Sequence, residues 1–312
     1  MNSPSNTPGE SQANFELLAP SSSATATRPF YWSVLREVWE NQSIYFAPAI
    51  VAVVALIGFL FSTAGLPERR QAVLLLGPEK ARAGIEAPYD VVAMILIFTA
   101  FIVGLFYCLD ALHGERRDRS ILFWKSLPVS DLTSVLSKAI IPLAVLPLII
   151  VAIVIATQLV MLLWTTGLLI AHGMSPASTW TSIPWIQNWL VLVYGLVAIA
   201  LWHAPIYGWA LLVSGWVRRA TFLWAALPPV AIAIFEKITF NTSYVSNLLK
   251  ERVFGFAPNA FDLGGHRGMA VDSFIQLTPA RYLSTPGLWL GLIFAAAFVI
   301  AAIRLRRYRG PL

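Results

Sequence analysis

The sequence predicts an all-α integral membrane protein with six transmembrane helices. Three observations carry this. Hydrophobic residues make up 57% of the chain and charged residues 12%, against roughly 45 to 50% and 25% in a soluble domain. Mean hydropathy is +0.69. The apolar residues also gather in runs long enough for the roughly 20 residues that cross a hydrocarbon layer. The single cysteine, Cys108, lies inside such a run, where no intrachain disulfide is possible and a buried packing role fits best.

Along the chain, residues 1 to 28 are rich in Ser, Thr, Pro and Asn and read as a disordered tail ahead of a transmembrane domain at 29 to 309. In residues 29 to 43, Tyr31, Leu35, Val38 and Trp39 recur at helical spacing with Arg36, Glu37 and Glu40 on the other side, the pattern of a helix in the membrane interface. The six spans are expected at about 44 to 64, 91 to 109, 139 to 171, 189 to 217, 220 to 240 and 287 to 303. Pro142, Pro147 and Pro205 predict kinks or tilt in the third and fourth, and Pro228 and Pro229 interrupt the fifth. Before the last span, the long connection at 241 to 286 predicts short surface helices around a Gly-rich centre, DLGGHRGM.

A net charge of +6 raises nucleic acid as a partner in a soluble chain, but Lys and Arg in short loops also orient a membrane protein. With both termini inside, the inner segments hold 13 of the 22 basic residues and carry +5, against +1 outside. The basic residues are spread over four segments instead of forming one stripe, so no nucleic-acid partner is expected.

Nucleotide and hydrolase motifs are absent: the chain has no G-x-x-x-x-G-K-[ST], no H-E-x-x-H and no G-x-S-x-G. Asp110 and His113 share a helix face and, with Glu115, form the one enzyme-like cluster, which reads more simply as solvated charge at the end of a span. No catalytic residue and no metal site are assigned. His203, the histidine deepest in an apolar run, is a candidate for a substrate pathway with its neighbours Trp202 and Tyr207; the alternative is a neutral ring donating to a backbone carbonyl beside Pro205.

The densest charge lies in HGERRDRSILFWKSLPVSD, residues 113 to 131. Gly114 is read as a break, residues 115 to 127 as a short cytoplasmic helix, Pro128 as its stop, and Ser130 or Asp131 as the cap of the next helix. Ile121, Trp124 and Leu127 form an apolar edge, and Arg116, Arg117, Arg119 and Lys125 cover the rest. Orientation requires only the basic residues. Glu115, Asp118, Trp124 and the proline are surplus to it and have the composition of a protein contact patch.

ERRDRSILFWKSLPVSDLTSVLSK, residues 115 to 138, resembles the first cytoplasmic loop of type-2 ATP-binding-cassette exporter permeases. The matching positions are Glu115, Arg116 or Arg117, the apolar 121 to 124, Leu127, Pro128, Val129, Ser130 and Lys138; Arg119 and Ser120 stand where Gly-Thr is common. The resemblance implies a coupling helix at about Glu115 to Leu127 and a second permease, identical or related. It also implies separate ATPase subunits that bind ATP and Mg, with no cofactor in this chain. The expected partners are thus an ATP-binding-cassette ATPase subunit, a permease copy or homologue, and membrane lipid. The expected location is a bacterial cytoplasmic membrane, and the family leaves the cargo open. Two other classes remain: an intramembrane enzyme, hydrolase or acyl transferase, using Asp110, His113 or His203, and an ATP-independent carrier.

Overall fold

The structure is a computed structural model that describes residues 29–75, 77–126, 129–262 and 276–309. The tail at 1 to 28, Leu127, the stop residue Pro128 and the Gly-rich centre of the long loop lie outside the described residues. Within them there are no β-strands; an isolated antiparallel bridge joins Phe261 to Leu277. Six helices are long and apolar enough to cross a membrane, which is an all-α, multi-pass membrane architecture.

The chain begins with α1 (Pro29–Glu40), followed by the first span α2 (Ser43–Ser62) and a short α3 (Leu66–Leu74). The second spanning helix, α4 (Pro78–Arg117), is 40 residues long. It starts well before the expected 91 because Pro78 suits a first turn and an Arg82–Glu86 pair at 3.3 Å supports the polar extension. Gly114 does not break it, and the chain turns only at Asp118 and Arg119. A seven-residue helix, α5 (Ser120–Ser126), follows. Next come α6 (Asp131–Ile140), a π-helical turn (Ile141–Val145) and α7 (Leu146–Ala171), which together form the third span. Ser130 caps α6: its hydroxyl accepts from the Thr133 amide at 3.1 Å. The π turn lies where Pro142 and Pro147 deny the ladder two donors.

Beyond α8 (Ala177–Ser182), the fourth span α9 (Trp185–Trp216) is the central helix, with half of its most apolar stretch buried. It packs on α4 and on the last span, α14 (Pro286–Tyr308). Two glycines permit the close approach. A Cβ on Gly208 would lie 3.1 Å from the Ala295 carbonyl oxygen, and one on Gly104 would lie 3.2 Å from Pro142 Cβ and 3.3 Å from the Tyr207 ring. The fifth span, α10 (Thr221–Phe240), runs unbroken through Pro228 and Pro229 and buries no residue fully; it leans on the bundle through Ala225, whose carbonyl accepts from Trp209 Nε1 at 3.0 Å, and through Phe222 stacked on Phe106. Short helices α11 (Tyr244–Phe254), α12 (Phe256–Ala260) and α13 (Pro279–Ser284) occupy the described parts of the long connection.

Candidate functional site

Charged residues from four helices converge at one end of the bundle. Glu37 of α1 is fully buried and receives Lys138 Nζ of α6 at 2.8 and 3.0 Å, Arg36 Nη2 at 2.7 Å and the Tyr107 hydroxyl of α4 at 2.9 Å. Lys138 Nζ also lies 3.1 Å from Glu115, near the end of α4, and Arg306 of α14 lies 3.1 Å from the other Glu115 oxygen. Asp131, 3.8 Å from Arg306, and Glu40, 3.3 Å from Arg36, border the cluster. Three cations therefore face two inner carboxylates, with two further carboxylates at the margin. Burial alone would push the Glu37 carboxyl up. Lys138 and Arg36, with the hydrogen bonds from Lys138 and Tyr107, outweigh burial and hold it below the ordinary carboxylate range.

The helix-forming logic explains how these groups meet. In α1 the aromatics Tyr31, Trp32 and Trp39 are exposed and Glu37 points into the bundle. This arrangement is the reverse of a soluble amphipathic helix, and it suits a helix whose aromatic side meets the lipid headgroup region and whose charges pair within the protein. Arg306 is delivered by the last turns of α14 and is nearly buried. Between Glu115 and Arg306 the contact is ionic, with neither Glu115 Oε2 nor Arg306 Nε and Nη1 making a hydrogen bond among the described residues.

The short helix α5 stands beside this cluster. Arg119 enters it with φ +59°, the left-handed region that favours glycine. Ile121 is buried, Leu122 and Phe123 are exposed at 57% and 59%, and Trp124 turns back so that the Arg36 guanidinium sits 3.7 Å from its ring centroid. Lys125 Nζ reaches the Arg307 and Arg309 carbonyls at 3.4 Å. The sequence-predicted contact residues thus divide. Glu115 and Arg116 face inward, Arg116 donating to the Gly215 carbonyl of α9 at 2.9 Å. Arg117, Asp118, Arg119 and Lys125 are exposed, Arg117 bonding Asp118 at 3.0 Å. Trp124 faces Arg36, and the exposed apolar pair is Leu122 and Phe123. No family model, curated protein or solved structure matches this chain.

Asp110, His113 and Glu115 diverge. Asp110 is exposed near Arg117, His113 Nδ1 lies 3.4 Å from the Val217 carbonyl, and Glu115 belongs to the buried cluster.

The void beside Tyr207 is lined by neither His203 nor Trp202. His203 Nδ1 lies 2.8 Å from the Ile199 carbonyl and Nε2 3.1 Å from the Val253 carbonyl of α11, so the ring ties α11 to α9. The carbonyl that Pro205 leaves without a donor belongs to Leu201, and His203 meets different ones. Trp202 donates to the Glu251 carbonyl at 3.1 Å and lies 4.9 Å from the Arg252 guanidinium. Tyr207 lines a void of about 10 Å³ between α4, the π turn and α9, room for a single water.

Glu37, Lys138, Asp131 and Arg306 are the residues that sequence reasoning did not bring together. The available signal was opposite charge at the ends of apolar runs; which ends meet depends on tertiary packing.

Proposed function

We propose that this chain is the permease subunit of an ATP-binding-cassette exporter in a bacterial cytoplasmic membrane. In this reading α5 is the element on which a separate ATP-binding subunit docks, and that subunit holds the ATP and Mg. The supporting observation is the division of labour within α5: Leu122 and Phe123 point away from the bundle while Trp124, next to them, grips Arg36 of the buried ion cluster. A push on the exposed pair is therefore delivered to groups on α1, α4, α6 and α14 together. The ionic, weakly directional Glu115–Arg306 contact lets the ends of α4 and α14 shift without breaking aligned hydrogen bonds.

Other features agree with the reading. The left-handed Arg119 stands where the resembling permeases carry glycine. The charged end gathers Arg116, Arg117, Arg119, Lys125 and Arg309, as a cytoplasmic end does under the positive-inside rule. The described chain starts and finishes at that end, since α1 packs on α6 and Arg306 meets Glu115.

The test places a photo-crosslinking amino acid at position 123 in cells that express the chain with its neighbouring genes. Capture of a soluble protein carrying G-x-x-x-x-G-K-[ST] is expected, Phe123→Asp should abolish its co-purification, and Trp124→Ala should keep co-purification while uncoupling ATP hydrolysis from transport. Crosslinks that never include such a protein overturn the reading. Tags at both termini should resist protease added outside intact cells, and cleavage there would reverse the orientation.

A further inference from the structure

The opposite end of the bundle holds a cation without a counter-ion among the described residues. Arg70 of α3 is about 9% exposed. It donates to Thr179 Oγ1 of α8, itself fully buried, while its Nε has no hydrogen-bond partner. No described carboxylate lies within ion-pair distance of it; Glu86, the buried acid in this region, is engaged by Arg82 and Asn188. A buried guanidinium in this state carries a desolvation cost that a bound anion would offset.

Arg70 lines two adjoining cavities. One, of about 220 Å³, lies between α2, α3, α4 and α7 and combines Arg69 and Arg70 with the apolar surfaces of Phe59, Val73, Ile85 and Tyr89. The other, of about 320 Å³, is bordered by Leu169, Met174, Ser175 and Ser178. Both are half-open hollows, the first where α2 leaves its apolar stretch and the second where α7 ends beside α8. A guanidinium above an apolar wall at that level matches a molecule with an anionic head and a hydrocarbon chain, and the planar fork of arginine suits two-oxygen recognition of phosphate or carboxylate.

We propose that this hollow binds an anionic amphiphile, its phosphate or carboxylate head on Arg70 and the first carbons of its chain against Phe59, Val73 and Ile85. The site requires no partner ATPase and stands apart from the docking helix.

The experiment uses the full chain purified in a neutral detergent and native mass spectrometry with phosphatidylglycerol, phosphatidylcholine and, separately, equilibrium dialysis with inorganic phosphate. One phosphatidylglycerol per chain should bind at least tenfold tighter than phosphatidylcholine. Arg70→Gln should lose that preference. Val73→Phe, which keeps Arg70 and fills the hollow, should lose the amphiphile as well. Shielding of Cys108 from a thiol dye, as in the wild type, certifies that both variants are folded, since that side chain is fully buried. Phosphatidylglycerol binding without inorganic phosphate binding assigns the site to a lipid. Inorganic phosphate binding that depends on Arg70, without phosphatidylglycerol binding, assigns the hollow to a free anion and overturns the amphiphile. Absence of one-to-one anion binding in the wild type, or its survival in folded Arg70→Gln or Val73→Phe protein, overturns the proposal.

Discussion

Replacing Lys138 by Met removes one of two cations shared by both inner carboxylates, the other being Arg36, which also lies 3.4 Å from Glu115. Breaking a buried ion pair by deleting one partner costs about 3 to 5 kcal/mol, and the remaining charges locate this case within that range. Arg36 stays 2.7 Å from Glu37 and Arg306 stays 3.1 Å from Glu115. The inner cluster becomes neutral, so the cost should fall near the lower limit, about 3 kcal/mol. Glu37→Leu instead leaves three cations facing Glu115 alone and should cost about 5 kcal/mol. The double variant retains two cations against one carboxylate, and its cost should undercut the sum of the singles by about 2 kcal/mol, a direct measure of coupling. The chain supplies its own probe. Cys108 is the single cysteine and is fully buried, so a thiol-reactive dye in a thermal ramp reports opening of the bundle. At roughly 2 °C per kcal/mol for a chain of this size, Lys138→Met should lower the midpoint by about 6 °C. A shift below about 1 °C, or strict additivity of the two single variants, would show that these charges are solvated and refute the buried cluster.

Arg119→Gly should raise the same midpoint, because a non-glycine residue at φ +59° costs about 1 kcal/mol; an unchanged or lower midpoint in dye labelling would count against the turn. Ser130→Ala removes the cap of α6 and should destabilise by about 1 kcal/mol, read by the same ramp, with Ser130→Asp restoring the loss. Gly208→Leu places a side chain against the Ala295 backbone and should expose Cys108 to dye without heating, whereas full shielding would contradict the close α9–α14 contact. The pH dependence follows from Glu37, whose depressed carboxyl stabilises the bundle above its unfolded value of roughly 4.3 and loses that contribution as pH falls through the lower folded value. Glu40, pushed up by burial, acts in the opposite sense but is half exposed. Midpoints should therefore hold from neutral pH to about pH 5 and fall below it, and Glu37→Gln should flatten the fall; an identical acid limb in Glu37→Gln would exclude Glu37 as its source.

The six apolar helices were legible because a hydrocarbon layer demands long unbroken runs, and 44 to 64 and 287 to 303 lie close to the helices that formed. Helix ends were less legible. Residues 78 to 90 look like a polar loop by hydropathy, yet Pro78 at the first turn and the Arg82–Glu86 spacing carry helix outward beyond the apolar run. Gly114 carried the signature of a break and yielded to α4 packing, where Ser214 accepts from the Leu112 and His113 amides and Arg116 donates to Gly215. In the short helix, composition identified the exposed charges but named Trp124 as the anchor, since a wheel gives a side chain's angle and cannot reveal that Arg36, 88 positions earlier, covers it. Glu37 and Lys138 lie in segments of unremarkable charge and Arg306 is one of four arginines in RLRRYR, so their pairing belongs to the assembled bundle. Arg70 was one of several loop arginines until α8 folded over it.

The π turn at Ile141–Val145 holds one residue more than an α turn would. In α-helical phase a surplus residue would rotate everything beyond it by about 100°; the π turn absorbs it, so the inward stripe of α6, with Val135 and Lys138, and that of α7, with Ile150, Val154 and Met161, stay on one side of the span. The reading frame of the third span is therefore adjustable at one place. Deleting a residue between Ile141 and Val145 would convert the turn to plain α-helix with both stripes still facing inward, whereas the same deletion elsewhere in the span would turn the stripe beyond it toward lipid. An insertion and a compensating deletion on either side of the turn should restore each other genetically, as paired frame changes do in a gene.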